Sequence, residues 1–326
     1  MNGLAILLTT VSIVLISISA FVGTAPLSFN ETLSGAFGGD GRIQAIVWEL
    51  RMPRAVAAFS VGAALGLAGA ALQGLLRNPL AGPGVLGVSA ISALGAVIAI
   101  YFGWIAAGLW VVPLSAIVFA GAAMLALLAV AGNSPDTVRL ILVGVGLSSL
   151  AGALTALAMN LAPTSFTLTD MVNWLLGSVT NRSWNDVLLV LPFWILGAIF
   201  VLMAGPGLRA LSLGEETALT LGADPARTRL FVIVGTSLLA GASVGIAGTI
   251  GFVGVVAPHI VRPFCGHDPK SLLLPSALAA GAMLTAADLI IRVLPFDQEL
   301  RLGVAAAIFG APVFIWIAAR TSGGWR

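Results

Sequence analysis

From Gly3 to Gly23 the chain carries no charged side chain, and apolar runs of this kind recur along its whole length. A helix needs about 20 apolar residues to cross about 30 Å of hydrocarbon, where every backbone N–H and C=O has to be satisfied within the segment. Further runs lie at about 52–76, 85–102, 105–131, 138–162, 186–204, 230–250, 251–264, 272–294 and 302–319. The run 251–264 is too short for a full crossing, and Met171–Gly177 reads as a half-helix at one interface. The sequence thus predicts an all-α polytopic membrane protein of about ten transmembrane helices, in one domain spanning 1–326. The first run lacks a basic leader and is longer than a signal core, so it reads as a retained span.

Composition excludes the other classes. Hydrophobic residues make up 59% and charged ones 9%, against about 25% charged in soluble domains, which rules out a soluble enzyme and a disordered chain alike. A net charge of +2 offers no field for nucleic acid. Cys265 is the single cysteine, and it allows neither an internal disulfide nor a zinc cluster. His259 reads as a packed side chain and His267 as a solvated one, so no metal site is expected. No catalytic set of Ser, His and Asp or of paired carboxylates occurs at a common depth. No P-loop is present either, since Lys270 follows Pro269 where that motif needs glycine.

Charge asymmetry favours an N-terminus inside the cell. Arg77, Arg139, Arg209, Arg227, Arg229, Arg262, Lys270, Arg320 and Arg326 then fall inside, and Arg42, Arg51, Arg54, Arg182, Arg292 and Arg301 outside. Trp48, Trp104, Trp184 and Trp325 sit near span ends, as an aromatic belt requires. Gly62, Gly66 and Gly69 recur in the same spacing as Gly241, Gly245 and Gly248, and at that offset Pro79 falls on Pro258. An offset of five spans places the halves in opposite orientations, predicting a five-plus-five inverted repeat of the kind found in transporters.

The longest charged connection, Leu208–Arg229, reads as two short helices. Glu215 and Glu216 suit the first turn of one, Gly222 its left-handed end, and Asp224 followed by Pro225 the start of the next. A plain loop needs no such preformed elements, whereas a rigid one transmits force to or from a partner. Glu216, Ala218 and Gly222 also resemble, in type and spacing, the docking loop of ATP-binding-cassette permeases. Ser148, Ser149, Thr155 and Asn160 put polar groups inside a span, where they face protein or a water-filled path.

Several motifs in order carry a resemblance over nearly the whole chain. They are Arg51-Met-Pro-Arg54, Gln73 through Gly87 with Asn78-Pro79-Leu80, Trp174-Leu-Leu-Gly177-Ser178 and Leu211-Ser-Leu-Gly214-Glu215. Gly251-Phe-Val-Gly254 through His259, Ala287-Asp288 through Arg292 and Gly310-Ala-Pro-Val-Phe314 complete the set. The chain resembles the FecCD/BtuC-type permeases that import iron–siderophores, haem and cobalamin.

That resemblance implies the translocating subunit of a binding-protein-dependent importer in the bacterial inner membrane, with a ferric siderophore as first cargo and haem or cobalamin as alternatives. It implies no cofactor in this chain, since ATP and magnesium are used by two cytoplasmic ABC ATPase subunits. The remaining partners are a second permease subunit (a copy or a sister chain), a periplasmic or lipid-anchored binding protein, and membrane lipid. Arg51, Arg54 and Arg292 are then expected to meet acidic residues of the binding protein, unless Glu49 and Asp288 pair with them locally. Leu213, Gly214, Glu215, Glu216, Ala218, Leu219, Leu221, Gly222, Asp224 and Arg227, within 208–229, are expected to engage the ATPase. Asn78, Leu80, Asp136, Thr137 and Asn160 are expected at the gate and along the path, although Asn-Pro is also a simple helix stop. Arg301 stands where the family has proline, either widening the docking surface or pairing with Asp297. An ion-coupled secondary transporter is the competing class, and it fits less well because the carboxylates lie at span ends rather than at the midplane.

Overall fold

The computed structural model describes residues 2–23, 27–131, 137–295 and 299–321. Its helices are α1 (Asn2–Phe21), α2 (Phe29–Ala36), α3 (Gly41–Ala45), α4 (Met52–Leu76), α5 (Val88–Tyr101), α6 (Val111–Ala131) and α7 (Thr137–Asn160). There follow α8 (Ser165–Leu175), α9 (Trp184–Leu211), α10 (Glu215–Thr220), α11 (Pro225–Ala247), α12 (Val253–Val261), α13 (Pro269–Val293) and α14 (Leu302–Thr321). Among the described residues, seven helices are long and apolar enough to cross a membrane. Val88–Tyr101, Val253–Cys265 and Leu302–Ile315 are shorter apolar segments, which brings the apolar set to the ten expected.

Local chemistry sets the ends. Ser183 and Asp186 form a capping box at the start of α9, Asp224 caps α11 and Asp268 caps α13. Two segments are more ordered than the sequence suggested. The polar stretch after α1 holds α2, capped by a Ser28–Glu31 box, then α3 and a π-turn over Ile46–Arg51 that runs into α4. The half-helix expected at Met171–Gly177 is α8, a longer element beginning at Ser165.

The core is made by the two glycine-rich helices, α4 and α11, most of whose residues are buried. Gly62 and Gly66 of α4 lie against the backbone of α13, where an added Cβ would stand 2.4 Å from Ala280 O and 2.5 Å from Ser276 O. Gly241 and Gly245 of α11 lie on α6, against the Ala120 methyl and the Pro113 carbonyl. Counting crossings, the second span packs on the ninth as the seventh packs on the fourth. The repeat read from the glycine spacing is therefore also a repeat of packing partners, since small residues let helix backbones approach in lipid. We call the end of the bundle that bears Leu208–Arg229 the lower end and the other the upper end.

Candidate functional site

Four features stand out: a charged cluster at the upper end, a protruding element at the lower end, a cavity between two helix breaks, and a bare face on α7.

At the upper end, Arg54 donates from Nε to Asp288 Oδ1 at 3.0 Å and from Nη2 to the same oxygen at 2.8 Å, and also bonds Glu299. Arg292 bonds the second Asp288 oxygen and donates to the carbonyls of Ser19 (3.2 Å) and Val22 (3.0 Å) at the end of α1. Arg51 donates to Ala20 O at 2.8 Å. Thr180, in the turn before α9, donates to Glu299 Oε2 at 3.0 Å. Burial pushes the Glu299 carboxyl up, but the Arg54 guanidinium, the Thr180 hydroxyl and the Arg292 charge together hold it below its ordinary range.

The three arginines expected to face a docking partner are thus turned inward here. The side chains of Arg54 and Arg292 are 12% and 1% exposed, and Arg51 is buried. The physical reason is that an arginine at a span end in low dielectric takes the nearest carboxylate and helix-end carbonyls. Of the two local pairs considered from sequence, Asp288–Arg292 is present. The Arg54–Glu299 and Thr180–Glu299 contacts join residues far apart in the chain and carried no local signal. Arg301 bonds Asn173 Oδ1 at 2.7 Å. Asp136, Asp297, Trp325 and Arg326 lie outside the described residues.

At the lower end, Gly214 (φ +111°) leads into α10, and Gly222 (φ +77°) ends it in the left-handed conformation, with Ala223 N bonded back to Ala218 O at 2.9 Å. Asp224 accepts from Arg227 N at 3.0 Å and starts α11. The second of the two short helices expected is instead the first turn of a full span. Arg229, itself buried, bonds Glu215 and ties α10 to α11. Ala218 is wholly buried, whereas Leu213, Leu219 and Leu221 are 62%, 57% and 63% exposed. Glu216 is exposed as well, and Arg227 lies 5.1 Å from the centre of the Phe231 ring.

Between these ends, the chain breaks after α4 (residues 77–87) and after α11 (residues 248–252), and the short helices α5 and α12 follow. The breaks meet at a cavity of about 540 Å³ lined by Leu80, Pro83, Val85, Ser243, Phe314 and, from the second break and the start of α12, Gly248, Thr249, Ile250, Gly251, Phe252, Gly254 and Val255. Irregular backbone at membrane depth is stable only against protein or a cavity, and paired short segments in the two halves of a transporter mark its binding region. Ser178 N donates to Ala247 O at 2.7 Å and Gly303 N to Gly177 O at 3.2 Å, bracing the second break from α8 and α14.

The gate candidates do not form one cluster. Leu80 lines the cavity, and Asn78 is exposed with its Oδ1 accepting from Leu80 N at 2.9 Å. Thr137 begins α7 at the lower end. Asn160 ends that helix at the upper end, about 35 Å away at the α-helical rise. Along α7, Val138, Leu142, Val145, Leu150, Leu154 and Leu157 are all exposed.

An all-helical bundle built on inverted repeats, with broken helices meeting at a cavity, defines a multi-pass membrane permease. Relatives agree in sequence and in structure. The chain belongs to the FecCD transport family, whose profile matches residues 10–320. It is 40% identical over 304 residues to the uncharacterized ABC transporter permease protein YvrB of Bacillus subtilis, covering 91% of this chain and 86% of that one. It is 41% identical over 279 residues to the vitamin B12 import system permease protein BtuC of Vibrio cholerae (85% and 83% covered). BtuC of Klebsiella pneumoniae is 38% identical over 281 residues, covering 86% of this chain and 84% of that protein. A solved structure described as an inward-facing conformation of an ABC transporter, assigned to the metal-chelate type, superposes with a TM-score of 0.85. That match has 31% identity and covers 98% of this chain and 99% of the other. The chain is therefore the permease subunit of an ABC importer and not itself an enzyme. Permeases of this family work with ATPase and substrate-binding partners.

Proposed function

We propose that this permease carries a bulky metal chelate inward across the bacterial inner membrane, a corrinoid such as cobalamin in the first instance. The relatives named for vitamin B12 import, at 38–41% identity, support that order. A ferric siderophore is the second cargo, favoured by the structural neighbour of metal-chelate type, with haem behind it. The observation that carries the reading is the protruding element at the lower end. Outside the apolar spans, Leu213, Leu219 and Leu221 stand exposed on a backbone stiffened by the Glu215–Arg229 pair. Apolar side chains held rigidly in water mark a surface that a partner covers.

In this reading the lower end and the N-terminus are cytoplasmic, and two ABC ATPase subunits grip residues 213–227 of two permeases, either copies or sister chains. The second permease covers the bare face of α7, enclosing a path past Leu80, Asn78, Thr137 and Asn160. A periplasmic or lipid-anchored binding protein docks at the upper end. Because Arg51, Arg54 and Arg292 are engaged within the chain, docking proceeds by exchange: a carboxylate of the binding protein takes over Arg54 from Glu299. ATP-driven closure then displaces α10 and, through α11, the break at 248–252.

Proteoliposomes holding the permease, its ATPase and its binding protein test this with labelled cyanocobalamin, ferric siderophores and haem side by side. ATP-dependent uptake of one chelate is expected. Uptake by the permease alone, without the ATPase, would overturn the reading.

A further inference from the structure

A second cavity, of about 410 Å³, opens at the lower end between the end of α4, the turn after α12, the start of α13 and Ser212. Arg77, His259, Arg262 and His267 line it, and no carboxylate is among the described residues that do. Asp268, next in the chain to His267, is engaged elsewhere. It accepts from Arg209 Nε at 2.9 Å, from Ser271 N at 3.1 Å and from the Ser271 hydroxyl. Arg262 is held in place by a bond from Nη2 to the Gln73 amide oxygen, while Gln73 Nε2 donates to Val255 O at 3.3 Å. Among the described residues, Arg262 Nε and His259 Nδ1 are buried without a hydrogen-bond partner.

Buried polar groups in native structures find partners, and a guanidinium cannot shed its charge to escape desolvation. Two arginines and two imidazoles converging on one cavity therefore call for a ligand that brings negative charge and several acceptor oxygens together. We infer that this cavity binds a phosphate-class oxyanion, supplied either as inorganic phosphate or as the headgroup of an anionic phospholipid. Arginine forks onto such oxygens in charge-assisted pairs, and imidazole N–H groups add further donors. The site shares no lining residue with the upper-end cluster or with the cavity at the helix breaks. Arg77 directly precedes Asn78-Pro79-Leu80, so an occupant ties the end of α4 to the turn between α12 and α13. The inference does not depend on which chelate is carried.

The full-length chain in nanodiscs of phosphatidylcholine is titrated with radiolabelled inorganic phosphate, and nanodiscs doped with phosphatidylglycerol are read by native mass spectrometry for retained lipid. Saturable binding is expected with one probe or the other. Arg77→Gln, at an exposed position, should weaken it about tenfold, the effect of losing one charge-assisted hydrogen bond. Arg262→Gln should do the same, and because Arg262 also holds Gln73, His267→Gln serves as the second variant at an exposed position. Arg42→Gln, exposed at the upper end, should change nothing. Saturable phosphate binding identifies the free anion, and retention of phosphatidylglycerol without phosphate binding identifies the headgroup. Neither probe binding, or equal binding in wild type and Arg77→Gln, overturns the inference.

Discussion

Arg54 and Asp288, 234 residues apart in sequence, are joined by hydrogen bonds from two guanidinium nitrogens, at 3.0 and 2.8 Å from the same carboxylate oxygen. Asp288 also takes Arg292, and its side chain is 1% exposed. One carboxylate thus fastens the ends of α4 and α13 to each other and, through Arg292, to α1. Removing one partner of a buried pair leaves an uncompensated charge, which costs about 3–5 kcal/mol. Asp288→Ala is expected to lower the thermal unfolding midpoint sharply in detergent, followed by size-exclusion chromatography after heating. Arg42→Ala, at an exposed position, is the neutral comparison, and equal midpoints for the two would refute the fastening role.

The exposed leucines of the lower end make a different kind of claim, because more than half of each side chain faces outward. Leu219→Ser and Leu221→Ser should leave expression and the unfolding midpoint unchanged. ATP-dependent uptake should nevertheless fall about tenfold or more, as when a central apolar anchor of an interface is lost. Glu216→Lys belongs with them. Glu215→Lys does not, since it opposes the buried Arg229 and should lower stability too. Uptake at wild-type level in the leucine variants would show that the ATPase grips elsewhere.

The legible part of this molecule was what the chain does locally. Apolar run length placed the spans, the Gly62–Gly66 and Gly241–Gly245 spacings announced the repeat, and Gly222, Asp224 and Pro225 fixed the joint between α10 and α11. The pairing of Asp288 with Arg292 lies one helical turn apart and was readable for that reason. Glu299 with Arg54, Thr180 with Glu299, and the convergence of Arg77 with His259, Arg262 and His267 depend on which helices pack side by side. No periodicity records that. The inward turn of Arg51 and Arg54 depends on the same packing, since a motif names residue types and leaves their burial open.

Acid should loosen the lower end through Asp268. The hydrogen bond from Arg209 pulls its carboxyl far below the ordinary value, opposed by burial and reinforced by the hydrogen bonds from Ser271 and the Arg209 charge. A carboxyl whose folded value is depressed contributes stability that is complete above the unfolded value, about pH 4, and is withdrawn as pH falls toward the folded value. Wild type should therefore lose more stability between about pH 5 and pH 3 than Asp268→Asn, whose cap is neutral throughout. Unfolding midpoints across that range check it, and parallel curves for the two proteins would exclude Asp268 as the source.

Two glycines separate close packing from an open surface. A Cβ on Gly69 of α4 would lie 1.7 Å from Gly254 O, inside the backbone of the neighbouring half-helix α12, so α4 and α12 would have to move apart. Gly146 of α7 has nothing within 4 Å of the same position. Overpacking of a rigid contact costs about 1–3 kcal/mol or more, whereas Gly→Ala on an open helix face gains about 1 kcal/mol in helix propensity. Gly69→Ala is accordingly expected to lower yield and unfolding midpoint, and Gly146→Ala to hold or raise both. Gly146→Leu then reports on the second permease. If a neighbour covers α7, the larger side chain should dissociate the pair in light-scattering measurements without lowering the midpoint of the single chain. If lipid covers α7, the mass of the particle should not change.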